Sequence, residues 1–472
     1  MKIKHLISAS VVAALALTGF TASAGNVDAN AASMAAKKFI NQHATEQGKL
    51  MGPGSVSLKL AYTEPSSVEG NAYYVFNING GGWVIIAGDD RAKQVLAYGE
   101  TGSLDMNNLP GNMKGFLNML KGQIETAQAY KGQTVPAKVT KRSAPVGPLL
   151  KTDWDQGEPF NRLCPLNSAG DRTSVGCGPL AMAQICYYWK YPNEVPDLPG
   201  YQGTGYQWYS NLAGTTFDYS KMLDNYYIHN PETGNPTDYA PYTDEQADEV
   251  AKLSRYCGQA CKSRYGNANG TSTGSYTYDQ RDAFKTFGFN ENLQLIGKDP
   301  SYYCANSNKY SIDEWCALIC TELEAGRPIP YHDMYEGHAW VLDGVDAEGK
   351  FHMNWGFAGR FNGWFEIDAL SFHPYGDSTV WDFSSLSNGG NEMIINCFPY
   401  EGYVIPGDEP EFELGDVNRD GNINIADVTK LISLVLSGIS EGYLDVADMD
   451  GNGSLTVSDV TSLISKVLSS AN

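Results

Sequence analysis

The chain ends on a repeat. "GDVNRDGNINIADVTKLISLVL" and "ADMDGNGSLTVSDVTSLISKVL" are two copies of one unit, 32 residues apart. Each copy has oxygen-bearing side chains at loop positions one, three and five, a glycine at six and an aspartate at twelve, just before an amphipathic helical pattern. In the first loop the candidate ligands are Asp416, Asn418, Asp420 and Asp427, with the carbonyl of Asn422 at position seven. In the second they are Asp448, Asp450, Asn452 and Asp459, with Ser454 at seven. Calcium takes such a ring of hard oxygens, and the glycine makes the sharp bend. The spacing predicts a small all-α calcium-loop domain over 414–472 with about two Ca2+ ions; the plain alternative is a solvated acidic loop. Thr429/Thr461, Leu431/Leu463 and Ile432/Ile464 are equivalent and predict a near two-fold pair of helices with one shared core.

Upstream, 472 residues with 42% hydrophobic content leave room for further domains with cores of their own. The net charge of −21 argues against nucleic acid or an anionic membrane as the main partner, because a phosphate surface would repel it. Twelve of the acidic residues, against three basic ones, lie from Asp408 onward. Residues 1–24 read as a secretory signal: Lys2 and Lys4, an apolar run from Leu6 to Phe20, then Ala22-Ser23-Ala24. A membrane anchor is the alternative, but the run is short for a bilayer and broken by Ser, Thr and Gly. No membrane span is expected in the mature chain, which is expected to be secreted or held at the cell surface.

Residues 25–145 pattern as a small α+β unit, with helical "AASMAAKKFINQH", strand-like "NAYYVFNI", "GGWVIIAGD" and "VLAYGETG", and helical "NMKGFLNMLKGQIETAQAYKG". The basic, proline-bounded "TVPAKVTKRSAPVGP" closes it as an exposed joint. A larger unit over 146–400, rich in Tyr, Trp and Gly, is followed by a Pro/Gly/acidic linker at 401–413.

Nine cysteines leave at least one thiol unpaired in an exported chain. Cys257/Cys261 and Cys316/Cys320 are each four apart on helical patterns, as buried core thiols or as bridges to other segments; zinc ligation lacks tight CxxC spacing. Cys177 stands apart in "SVGCGPLAMAQICYYWKYP". Gly178 and Pro179 suit a first helical turn, which lowers a thiol's pKa and aims backbone N–H groups at it. Taken alone, such a turn more often holds a structural thiol.

A nucleophilic thiol needs a base. "RPIPYHDMYEGHAWVLDGVDAEGKFHMNWGFAGRFNGWFEI" reads as an antiparallel meander in which His338 opens one strand at a rim. Sixteen residues on, Asn354 and Trp355 fall near the same rim of the next strand. There an amide oxygen would fix the imidazole tautomer and an indole would keep water from that bond.

These segments, "SVGCGPLAMAQICYYWKYP", "EGHAWVLDG" and "FHMNWG", resemble the streptopain-type cysteine peptidases, family C10, over the chain up to about residue 400. The resemblance implies an α+β, papain-like fold, with a helical part carrying the Cys and an antiparallel β part carrying the His, behind an inhibitory pro-domain. Cys177 then matches the nucleophile and His338 the base, while Asn354 and Trp355 match the residues that orient and shield it. "WDQGEPFN" resembles the segment whose glutamine supports the oxyanion, which gives Gln156 that role. The chain departs from the family at Gly178-Pro179-Leu180, where a Val-Ala-Thr type sequence is usual, and at Phe357, where Trp is usual. The terminal repeat, ending each loop on Asp after turn-like segments, resembles a type I dockerin; this implies calcium and a cohesin-like docking partner.

The reading is a secreted cysteine endopeptidase made as a zymogen, acting on protein or peptide substrates with no cofactor for catalysis. Two alternatives stay open: an inert calcium-dependent peptide-binding protein, and a cysteine amidase acting on cell-wall peptides.

Overall fold

The computed structural model describes residues 25–47, 57–130, 134–136, 145–203, 207–266, 270–298, 310–333, 337–370, 372–374, 391–406, 413–419, 421–440 and 443–470. The expected signal (1–24), most of the basic joint, Cys304, Asp420 and part of the acidic linker lie outside them. The chain divides into two compact units, residues 1–401 and 402–472.

One antiparallel sheet of ten strands runs through the first unit. Its order is Leu58–Pro65, Asn71–Ile78, Trp83–Ala87, Val95–Gly99, Gly363–Phe365, Phe351–Asn354, His338–Val345, Ile329–Asp333, Asn391–Ile395 and Gln294–Gly297. The N-terminal residues, expected as a compact unit of their own, instead extend the sheet of the large unit. Trp364 pairs with Tyr98 and Phe365 with Ala97, so each meander covers an edge that the other would leave with unpaired N–H and C=O groups. The meander expected over 327–367 is present, with His332 opposite Ala339 and Asp333 opposite His338.

Helices cover both faces. The helix Gly111–Ala129, hereafter the pro-helix, buries Met113, Phe116, Leu117, Leu120 and Ile124, a spacing of three, one, three and four that makes one apolar stripe. Phe116 meets Trp340, Trp355 and Phe365 at ring-centroid distances of 6.1, 5.9 and 5.7 Å, so this core is shared between the N-terminal segment and the large unit. On the opposite face at the N-terminal end, the helix Ala29–Gln47 packs Ala32, Ala36 and Ile40 against Val84 and Ile86. Farther along, the helix Cys177–Trp189 lies between the strand His338–Val345 and the helix Asp244–Ala260. It is buried almost all round, which explains its lack of charged residues. Capping boxes start two of the expected helices: Thr243 with Gln246, and Ser311 with Glu314.

The eight described cysteines are free thiols. Cys257 and Cys261 are wholly buried, and burial pushes both thiols well above their ordinary range.

In the second unit, the helices Ile425–Ser437 and Val457–Ser470 pack on a core of Val417, Val428, Leu431, Leu434, Val446, Ala447, Val460 and Leu463. Leu431 and Leu463, equivalent positions on the two helices, are both fully buried. Ile432 and Ile464 are not part of that core: they stay 40% and 38% exposed, because the next residue on a helix is turned about 100° away.

Phe116→Ala is expected to lower the stability of the full-length chain by about 3–5 kcal/mol, since it empties a fully buried site. Denaturant unfolding of the intact chain measures this as a lowered midpoint.

Candidate active site

Gly176, at φ 96° and ψ 143°, starts the helix of Cys177 without a side-chain cap. A side chain at 176 would be strained by that φ and would press on Thr273. Gly178 meets a second restriction: a Cβ there would sit 2.5 Å from Ser275 Oγ. The two glycines let the chain turn tightly about Cys177, which is half-buried at the first helical position.

Ala339 N–H donates to Cys177 Sγ at 3.4 Å, and His338 hydrogen-bonds the same sulfur. Burial pushes the thiol up, but the hydrogen bond and charge of His338, with the Ala339 and Gly178 N–H groups, outweigh it. The Cys177 thiol is therefore held below its ordinary value. Burial pushes the thiols of Cys164, Cys186, Cys316 and Cys397 up instead, that of Cys164 to about 12. The helix start and the strand rim together bring a thiol of lowered pKa into hydrogen-bonding contact with an imidazole.

Three family models match successive parts of the chain. Residues 154–365 match the model described as Peptidase C10 family, residues 24–124 that of Spi protease inhibitor, and residues 414–468 that of Dockerin type I domain. Residues 154–365 form a peptidase C10 domain. The chain is 28% identical over 324 residues to streptopain of Streptococcus pyogenes, covering 64% of this chain and 76% of that protein. It is 28% identical over 368 residues to the thiol protease/hemagglutinin PrtT of Porphyromonas gingivalis; that match covers 74% of this chain but 39% of that protein. The solved fragment of Prevotella intermedia prointerpain A superposes with a TM-score of 0.56 at 26% identity, covering 73% of this chain and 99% of the fragment. The C10 domain has the papain-like fold, preceded by an inhibitor-like segment and followed by a dockerin, and the chain is a cysteine-type peptidase by family.

Within the C10 domain the other expected site residues are distributed unevenly. Gln156 is brought beside the nucleophile loop by its backbone, its carbonyl accepting from Val175 N–H at 2.9 Å. Asn354 is opposite Val341 in register, three residues in from His338. Its Nδ2 donates to the Thr152 carbonyl at 2.8 Å, and its Oδ1 accepts from Gly356 N–H at 3.2 Å. Trp355 is fully buried in the aromatic core, 5.0 Å from Trp340 between ring centroids, with Nε1 donating to the Phe361 carbonyl. The fold thus brings Cys177 and His338 into contact and sends the Asn354 and Trp355 side chains to different neighbours.

Two further features escaped the motifs. A buried histidine, His332, lies in the strand beside His338; burial pushes its pKa down to about 3, so it is neutral. Its Nε2–H donates to Gln280 Oε1 at 2.6 Å, and Gln280 Nε2 donates to the Gly178 carbonyl at 2.7 Å, which pins the first turn of the nucleophile's helix. The other feature comes from the inhibitor-like segment. Buried Asn112 donates from Nδ2 to the Ala339 carbonyl at 3.3 Å and to the Trp355 carbonyl at 3.0 Å. A methyl group on Gly111 would overlap the imidazole Nε2 of His338. Only the shared sheet reveals that these residues meet; no local pattern marks them.

In the dockerin, Asp448, Asp450 and Asp459 gather ligand oxygens within 4.8 Å of one another. The loops are wired alike: Gly421 and Gly453 N–H donate to Asp416 and Asp448, and Asn418 and Asp450 N–H to Asp427 and Asp459. Burial pushes the Asp459 carboxyl up, but donors from Thr456, Asp450 and Met449 hold it below its ordinary value. A dockerin implies calcium binding, and an anionic oxygen cluster suits that ion.

Alkylation of Cys177 by iodoacetamide is expected to rise through a midpoint below the ordinary thiol value of about 8.5. In His338→Ala that midpoint is expected to move up, because burial then acts against fewer opposing partners. Rates measured against pH on the intact chain, with the modified site mapped by mass spectrometry, check both.

Proposed function

We propose that this chain is the zymogen of an exported cysteine endopeptidase in which Cys177 attacks a peptide carbonyl and His338 carries the proton. The observation that carries the reading is the convergence of His338, Ala339 N–H and a glycine-framed helix start on one sulfur. The Cys177 thiolate adds to the carbonyl carbon, and the oxyanion is held by backbone N–H at the helix start with help from Gln156. His338 donates its proton to the leaving amine, and water then releases the acyl group from sulfur. Asn354 holds the end of its strand through Thr152 and Gly356, acting on the imidazole as a positioning residue. Trp355 keeps water from the rim. The names of streptopain and the PrtT thiol protease support the peptidase reading.

The inhibitor-like segment, in this reading, silences the site by covering it. Cys177 and His338 stay in contact with the pro-helix seated, and the space over His338 is filled by Gly111 and Asn112. Maturation within the basic joint is favoured because the chain is pinned from Val146 onward. Val146 bridges Val345, and Leu150 N–H donates to the buried Asp343 carboxylate at 2.9 Å. The dockerin is assigned one calcium per loop, with Asp416, Asn418, Asp420, Asn422 and Asp427 in the first and Asp448, Asp450, Asn452, Ser454 and Asp459 in the second. Its partner is a cohesin-like domain. Export rests on the signal-like residues 1–24; among the described residues no helix is long and apolar enough to cross a membrane.

The chain from residue 25 is expected to shorten itself to a species beginning near 143–150 and then to cut a denatured protein. Cys177→Ala should stay full length, His338→Ala should lose turnover, and Asn354→Ala should be slower. Gly111→Ala should mature faster than wild type, because its methyl group pushes the pro-helix off His338. Gel electrophoresis and N-terminal sequencing follow all four, and a full-rate Cys177→Ala would exclude the mechanism. Digestion of peptidoglycan peptides in preference to protein would favour the amidase instead.

Chelating calcium is expected to melt residues 414–470 while leaving peptidase activity nearly unchanged. The emptied carboxylate ring repels itself, and the binding free energy of the ion is lost from folding. Circular dichroism and turnover before and after chelation test this together.

A further inference from the structure

We propose that the pocket beside Cys177 selects a carboxylate side chain, Asp or Glu, near the scissile bond, and that Arg264 is the residue that reads it. This rests on the peptidase reading above and adds the substrate class. A cavity of about 220 Å³ opens next to the sulfur, walled by Arg264, Ser275, Tyr276 and Thr277 on one side and by Asp333 and His338 on the sheet side.

Arg264 lies in a short hairpin, paired with Gly274. Its guanidinium carbon is 4.1 Å from the centroid of the Tyr276 ring, and Nη1 donates to the Tyr276 hydroxyl at 3.0 Å. Tyr276 in turn stacks on Tyr278, 5.0 Å between centroids and 12° from parallel. The stack fixes the guanidinium before any ligand arrives, which lowers the ordering cost of binding. Its Nε is buried without a hydrogen-bond partner, and its one hydrogen bond to a side chain among the described residues goes to a neutral phenol.

Of the nine described arginines, Arg264 is one of four, with Arg172, Arg255 and Arg360, that carry no carboxylate partner among the described residues, and of these four it alone lines the pocket beside Cys177. Arg91, Arg162, Arg281, Arg327 and Arg419 are paired with Asp89, Glu158, Asp282, Glu322 and Asp445. A guanidinium held flat at the edge of a cleft offers its Nη groups to a carboxylate, which accepts from two N–H groups at once. The hydroxyl of Ser275 supplies a further donor on the same wall. Ser275 comes this close to the nucleophile's turn because Gly178 has no Cβ, which gives the Gly178 departure from the family sequence a consequence. The other ionisable groups of the pocket fit. His332 is neutral and adds no charge, and Asp333 is the cross-strand neighbour of His338, whose positive form offsets it during attack.

The experiment uses matured enzyme and peptides that differ only in Glu, Gln or Leu at each position flanking the cut bond. At one position kcat/KM for Glu is expected to exceed that for Gln by roughly tenfold, and the ratio should shrink as salt is raised. In Arg264→Gln the ratio should fall to near one, with Arg264→Lys in between. A wild-type enzyme that cuts these peptides with Glu no better than Gln at every position overturns the proposal by itself, whatever the variants do. A ratio unchanged in Arg264→Gln overturns the assignment to Arg264. Failure to cut any peptide, by enzyme whose Cys177 is still alkylated, overturns the peptidase reading and this proposal with it.

Discussion

The ladder between Ile329–Asp333 and His338–Val345 sets where the thiol and the imidazole meet. It places His332 opposite Ala339 and Asp333 opposite His338, so that one rim offers an imidazole and a backbone N–H to the same sulfur. The nucleophile's helix has to meet that rim from the other side, and two further restraints bring it there. Gly176 turns the chain into the helix with a φ that a side chain would resist. The bridge from His332 through Gln280 to the Gly178 carbonyl then fixes the first turn. Because His332 is neutral at working pH, this bridge keeps its donor and acceptor sense while Cys177 and His338 exchange charge.

The same sheet explains how an N-terminal segment can hold the site so closely. By pairing Val95–Gly99 with Gly363–Phe365, the segment becomes part of the framework that positions His338. The pro-helix is thereby fixed over Trp340 and Trp355. Phe116 buries itself among those rings, a gain of about 2–3 kcal/mol for one side chain. Asn112 adds two directed hydrogen bonds at the point where a substrate backbone would approach. Apolar burial supplies the affinity, and the asparagine supplies the register. On the proposed zymogen reading, releasing a segment attached in this way would expose a sheet edge and an aromatic patch, a barrier that a loosely tethered peptide would lack.

Much of the site was legible because its signals are local. A cysteine between glycines before an uncharged helix, and a histidine opening a strand after a turn, are patterns of single segments, and the structure brings those segments together. Asn354 was legible as a residue near the rim, but its hydrogen bond to Thr152 depends on a segment about two hundred residues away. The strands Leu58–Pro65, Gln294–Gly297 and Asn391–Ile395 were missed. The last two pair with each other across about a hundred residues, and short strands of this kind are defined by their neighbours more than by their own composition. In the repeat, periodicity correctly assigned Leu431 and Leu463 to the core. It failed for Ile432 and Ile464, since equivalence between copies shows that two positions are alike and not that either is buried.

By itself the sequence determined the order of the modules, the cation-binding character of the terminal loops, and the identities of the thiol and the imidazole, because each of these is written in short-range spacing and residue chemistry. Tertiary structure alone decided that the N-terminal segment shares the sheet of the C10 domain, that Asn112 and Gly111 meet the rim, that His332 is buried and neutral, and that Arg264, stacked on Tyr276, lines the pocket beside Cys177. Each of these depends on what lies across a strand pair or a cavity wall. Desolvation, pairing and unmet charge belong to such neighbours, and a chain read in one dimension does not contain them.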